Sequence, residues 1–112
     1  MTTKFIQDGE SIDYTSGTAK AAGSVVVQND LVGVLKRDIA ANVPGALAVS
    51  GVFDFPKATG VGTAIAAGKP VYYDVAEDVA KENSESGANK LIGKTVLAAA
   101  DADAKVRVRL LQ

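Results

Sequence analysis

The chain has 112 residues, 12 of them basic and 13 acidic, for a net charge of −1, and it lacks cysteine, histidine and tryptophan. Disulfides and thiolate metal sites are therefore excluded, and so are the commonest general base and every Ser-His or Cys-His arrangement. A near-neutral balance without a basic cluster argues against nucleic acid as a partner, and no apolar run approaches the roughly 18 residues a membrane span needs.

Alanine and valine dominate an apolar content of 47%, against 5% aromatic. Small side chains each bury little area, so the core is expected to be modest and association to add to its stability. The length fits one domain. The amino terminus, Met1 to Asp8, has no apolar core of the kind signal peptides carry, which leads to the expectation of a protein made in a cytoplasm.

In chain order, residues 1–10 read as an extended arm that stops at Asp8-Gly9, and 11–112 as a single β domain. Ser11 to Thr15 alternates, with Ile12 and Tyr14 on one face. Ser24 to Gln28 is a β-branched run, Asn29-Asp30 marks a turn, and Leu31 to Leu35 resumes at once, predicting a hairpin. From Gly45 the pattern reads as one strand with Leu47, Val49, Gly51, Phe53 and Phe55 on a shared face, ended by Pro56. Gly68-Lys69-Pro70 introduces Val71 to Val75, with Val71, Tyr73 and Val75 on one side. Asn83 to Asn89 is a polar loop, Leu91 to Leu97 a further strand, and Val106 to Leu110 alternates to the end. Ala76 to Glu82 and Val96 to Ala100 contain good helix formers but are short, and strand, turn, strand is the better reading. The predicted fold is all-β: a small single-domain barrel or sandwich of short strands with an extended N-terminal arm.

The motifs that could carry chemistry fail on spacing. Gly93-Lys94-Thr95 resembles the end of a phosphate-binding loop, but the residue five before Gly93 is Ala88, and no long helix follows. Gly60-Val61-Gly62 begins like a dinucleotide fingerprint whose third glycine is replaced by Ile65, leaving a flexible loop as the reading. Asp101 and Asp103 have calcium-loop spacing, but the sixth and twelfth positions are Val106 and Gln112, which leaves a solvated turn. Arg107 and Arg109 share one face of the last strand, where they are either solvated or partner contacts. No catalytic, cofactor-binding or metal-ligating residue is assigned, and no enzyme activity or cofactor is expected. The arm residues Thr2, Thr3, Lys4, Phe5, Ile6 and Gln7 are the candidate binding element, because an extended segment can add a strand to another protein's sheet edge.

A family resemblance runs along nearly the whole chain. It is carried by Phe5 to Gly9, Leu31 to Val34, Gly51-Val52-Phe53-Asp54-Phe55-Pro56-Lys57-Ala58-Thr59-Gly60, Gly68 to Asp74, Leu91 to Gly93 and Ala104 to Leu110. In order and spacing these segments are similar to the small phage capsid cement, or head decoration, proteins. The stretch Ala76 to Asn89 is longer and more charged than the family pattern. The resemblance implies a structural protein on the outside of the phage head, partnered by the major capsid protein. It also implies a homo-oligomer, with a trimer favoured, and no nucleic-acid or membrane partner. The alternatives are another head-completion or tail component, or a nucleotide- or DNA-binding recombination factor.

Overall fold

The computed structural model describes residues 3–4 and 9–110. Nine strands form two antiparallel sheets among the described residues, with one 3-10 turn at Glu85–Gly87 and no α-helix. The first sheet holds β1 (Ser11–Tyr14), β2 (Val25–Gln28), β3 (Leu31–Leu35) and β4 (Gly45–Ala48) in the order β1-β4-β3-β2. The second holds β5 (Gly51–Pro56), β6 (Pro70–Asp74), β7 (Val79–Lys81), β8 (Lys90–Thr95) and β9 (Lys105–Leu110) in the order β5-β9-β8-β6-β7. Its two outer strands meet through a parallel bridge between Lys57, just past β5, and Ala80 in β7, so this sheet curls into a small barrel.

The predicted hairpin forms as β2 and β3, with Gln28 opposite Leu31 and Asn29 in the left-handed region at φ 53°. Asparagine tolerates that conformation at little cost, which is why the chain can reverse there in two residues. The hairpin is apolar on both faces because both are covered. Val32 and Val34, with Val25 and Val27, pack on the barrel's cluster, while Val26 and Leu35 join Leu47, Ile12, Tyr14 and Ile39 on the other side. Gly33 lies on this second side, and a Cβ there would collide with the buried Leu47 side chain, so the position admits only glycine without repacking.

One expectation is corrected. The run from Gly45 to Phe55 is two strands in different sheets, interrupted at Val49-Ser50. Gly51 adopts φ +123°, a conformation L side chains rarely take, and this turns the chain out of the first sheet. Leu47 therefore sits in the smaller cluster and Phe55 in the barrel. Phe53 and Phe55 do share a face, as period two requires, with rings edge to face at 6.4 Å.

The barrel interior is closed by Phe55, Ile65, Val71, Tyr73, Ile92, Val106, Val108 and Leu110, all buried. β5 and β9 pair along their full length, from Gly51 opposite Leu110 to Pro56 opposite Lys105. In β8 the register slips by one residue: Val71 faces Gly93 and Tyr72 faces Leu91, leaving Ile92 as the extra residue of a bulge. Val75, expected on the Val71 and Tyr73 face, lies instead in the exposed turn that leads into β7.

Candidate interaction site

Three polar arrangements shape the surface of the barrel. The first is at the end of the barrel where β5 and β9 meet. Lys57 is only 4% exposed, and its ammonium donates to the carbonyls of Ala58 (2.7 Å) and Asp103 (3.0 Å) and to the Thr63 hydroxyl (3.2 Å). Three donors meet three oxygens, which is how a buried ammonium avoids a desolvation penalty without a carboxylate. The Thr63 hydroxyl has the Gly60 carbonyl at 2.6 Å and the Asp101 carbonyl at 3.1 Å as acceptors. Asp101 Oδ1 accepts from the backbone N–H groups of Thr63 and Ala64 at 3.1 and 2.8 Å. The Gly60 to Ile65 loop is thus tied down rather than flexible, and Asp101 is a loop clamp rather than a solvated turn residue. Gly93-Lys94-Thr95, for its part, lies within β8, with the Thr95 hydroxyl donating to the Ala66 carbonyl and accepting from Lys69 N–H. This is a strand, not a phosphate cradle.

The second arrangement surrounds Lys81 at the β6–β7 turn. Its ammonium meets Asp74 at 2.9 Å, Glu77 at 2.6 Å and Glu85 at 3.8 Å. The Lys81 contact, seconded by the Glu77 N–H, holds the Asp74 carboxyl below its ordinary range, and Glu77 and Asp74 in turn raise the lysine. Asn89 is buried and closes the loop by donating to the Asn83 carbonyl and to Glu85 Oε2. Glu85 and Ser86 both sit in the left-handed region, at φ 47° and 59°, and these contacts hold them there. A carboxylate whose folded pKa lies below its unfolded one stabilises the fold above the unfolded pKa, and that contribution disappears as pH falls through the folded value. From the ordinary value of 3.8 downward, the cluster should therefore lose its contribution. In urea titrations between about pH 5 and about pH 2.5, Asp74→Asn should lose less of its midpoint than the parent protein. Equal losses would show that this cluster contributes nothing to acid sensitivity.

The third arrangement is the outer face of β5, β9 and β8. Opposed residues there form three rows, Val52–Arg109–Lys94, Asp54–Arg107 and Pro56–Lys105, and Val96 N–H continues the second row by donating to the Arg107 carbonyl. Arg107 pairs with Asp54 through Nε to Oδ1 at 2.9 Å and Nη2 to Oδ2 at 3.3 Å. That contact holds the Asp54 carboxyl below its usual range and raises the arginine. The two arginines expected on one face are thus on one face, but only Arg107 is neutralised. Among the described residues none of Lys94, Lys105 and Arg109 has a carboxylate within ion-pair distance.

Of the proposed binding arm, Thr3 and Lys4 are exposed and outside any strand. Thr2, Phe5, Ile6 and Gln7 lie outside the described residues. Burial of Lys57 and the loop clamp of Asp101 were not visible in the sequence. The available signal was only that Lys57 follows a strand-ending proline in a run otherwise legible as turn residues.

Among the described residues no group of carboxylates has metal-site geometry, and no helix is long and apolar enough to cross a membrane. Searches of curated proteins and of solved structures found no match for the chain. A family model described as phage cement protein matches residues 6–110, which takes in both sheets, the Lys57 clamp, the Lys81 cluster and the outer face of the barrel. Spanning nearly all of the sequence, that match establishes that the chain belongs to the phage cement protein family.

Proposed function

We propose that this protein is the cement of a phage head, binding the major capsid protein on the outer surface of the shell and holding neighbouring capsid subunits together. The family match across residues 6–110 carries this reading. The fold supports it: two sheets stiffened by polar clamps make a body with a large exposed surface for contacts. A ligand that binds only the assembled shell shifts the equilibrium toward assembly, and many copies on a symmetric lattice multiply a weak individual contact.

Within this reading the chain divides into a binding arm, 1–10, and a β domain, 11–112. The arm segment Thr2 to Gln7 adds as a strand to a sheet edge of the capsid protein. The protein works as a homo-oligomer without enzymatic activity, and neither nucleic acid nor membrane is a partner. Removing residues 2–7 and measuring occupancy of purified expanded heads tests the arm. Occupancy should fall at least about tenfold, since strand addition supplies affinity through main-chain hydrogen bonds. Undiminished occupancy would remove the arm from the contact. Failure of the intact protein to bind heads would overturn the cement reading itself.

A further inference from the structure

Two surfaces of the barrel match each other in both charge and apolar content. On the outer face of β5, β9 and β8, Val52 is 56% exposed, Val96 41% and Leu97 55%. Leu97 borders a shallow depression that it shares with Asp54 and Arg107. Arg109 and Lys94 flank these side chains, and a second depression of about 250 Å³ opens between Lys94, Thr95, Val96 and Arg109. Arg107 is already neutralised by Asp54, so among the described residues the cations of this face free to meet a partner are Lys94, Lys105 and Arg109, of which Arg109 and Lys94 flank Val52 and Val96.

The β6–β7 turn has the opposite character. Val75 projects from it, 61% exposed, beside Glu77 and Asp78, and Glu82 follows β7. Lys81 is the only cation in that segment and is surrounded by Asp74, Glu77 and Glu85, whereas Asp78 and Glu82 have no ion-pair partner among the described residues. One surface is therefore apolar with free cations, and the other is an apolar tip with free carboxylates.

We propose that a second copy of this chain seats its Val75–Glu82 turn on the outer face of β5, β9 and β8, with Val75 against Val52, Val96 and Leu97 and with Asp78 and Glu82 toward Arg109 and Lys94. The two patches are different surfaces of one molecule, so the contact is heterologous: copies join head to tail, closing into a ring or continuing as an open chain. The apolar centre distinguishes this face from a nucleic-acid site, where a stripe of cations along a phosphate backbone supplies the binding. Three free cations, interrupted by the Asp54–Arg107 pair and by Val52, Val96 and Leu97, are too few for such a stripe, and the carboxylates of the turn would oppose it. The inference rests on the homo-oligomer proposed above and names its contact, while its test concerns the free protein and needs no capsid.

Sedimentation velocity of the purified protein at low and high salt, with charge-exchanged variants, tests it. The parent protein should associate at low salt and dissociate as salt screens the pairs. Lys94→Glu with Arg109→Glu should weaken association more than about tenfold, since like charges then face each other. Asp78→Asn with Glu82→Lys should do the same, asparagine being chosen because Asp78 has φ 60°. Circular dichroism checks that both variants are folded. Mixed together, the two variants should associate again, each supplying the surface the other has lost. The proposal is overturned by a parent protein monomeric at low salt, by variants that associate as the parent does, or by a mixture that stays dissociated. A face variant that keeps self-association but loses binding to expanded heads, or to duplex DNA, would also overturn it, assigning the face to the shell or to nucleic acid. Head occupancy of the parent protein is measured separately, so failure of self-association leaves the capsid-binding part of the cement reading standing.

Discussion

Replacing Lys57 with alanine is expected to lower the free energy of unfolding by about 3 kcal/mol, read from urea denaturation. The ammonium is the single donor group shared by the carbonyls of Ala58 and Asp103 and the hydroxyl of Thr63, the farthest of which lies 46 residues from Lys57 in the chain. Hydrogen bonds to a charged group contribute about 1.5–3 kcal/mol each, and acceptors left unpaired in a buried site incur a desolvation penalty, partly relieved by water entering the gap. Lys57→Met separates the two components, because methionine restores much of the volume and none of the donors. If the polar contacts matter most, Met should be nearly as destabilising as Ala. If packing of the stem matters most, Met should recover most of the loss. A change below about 1 kcal/mol for both would show that Lys57 is dispensable to the barrel end.

Phe55→Ala is expected to cost about 3–5 kcal/mol, as truncation of a fully buried aromatic usually does. Phe55 is 1% exposed and is among the largest side chains sealed in the barrel, where the remaining lining is mostly valine, alanine and isoleucine. Such neighbours have short side chains with few rotamers, so they cannot swing in to fill the vacated volume. The loss is a large part of the 5–15 kcal/mol typical of a domain, and should lower the thermal midpoint by more than about 10 °C. Phe53→Ala, at a half-buried position on the same face, should cost clearly less. Equal effects at the two positions would contradict the placement of Phe55 at the centre of the barrel.

Much of this fold was legible residue by residue. Alternation fixed the inward face of Val106, Val108 and Leu110, and Asn29-Asp30 between two β-branched runs fixed the hairpin. The break between β4 and β5 was not legible, because apolar residues at period two continue through it, and only the conformation of Gly51 ends one sheet and begins the other. Periodicity reports which side a residue faces, not which sheet it faces from. The polar clamps were hidden for a related reason: a lysine after a strand and an aspartate in a turn have the same local pattern whether solvated or buried, and their partners come from distant segments. The interaction surface is partly legible. Arg107 and Arg109 share a face by alternation alone, but which of them is neutralised depends on Asp54, more than fifty residues earlier, falling opposite Arg107 in the ladder.

The bridge between Lys57 and Ala80 bears on where this protein can be extended by another chain. A curled sheet whose margins touch has little unpaired backbone to offer, whereas β1 and β2 remain the margins of the first sheet among the described residues. Open margins are where strands from other molecules attach, whether as a useful partner or as the start of a fibre. Sealing the larger sheet leaves, among the described residues, two strands of four residues each, β1 and β2, as the open margins. Amide hydrogen exchange should show the contrast as slow exchange around the barrel and fast exchange along the free sides of β1 and β2.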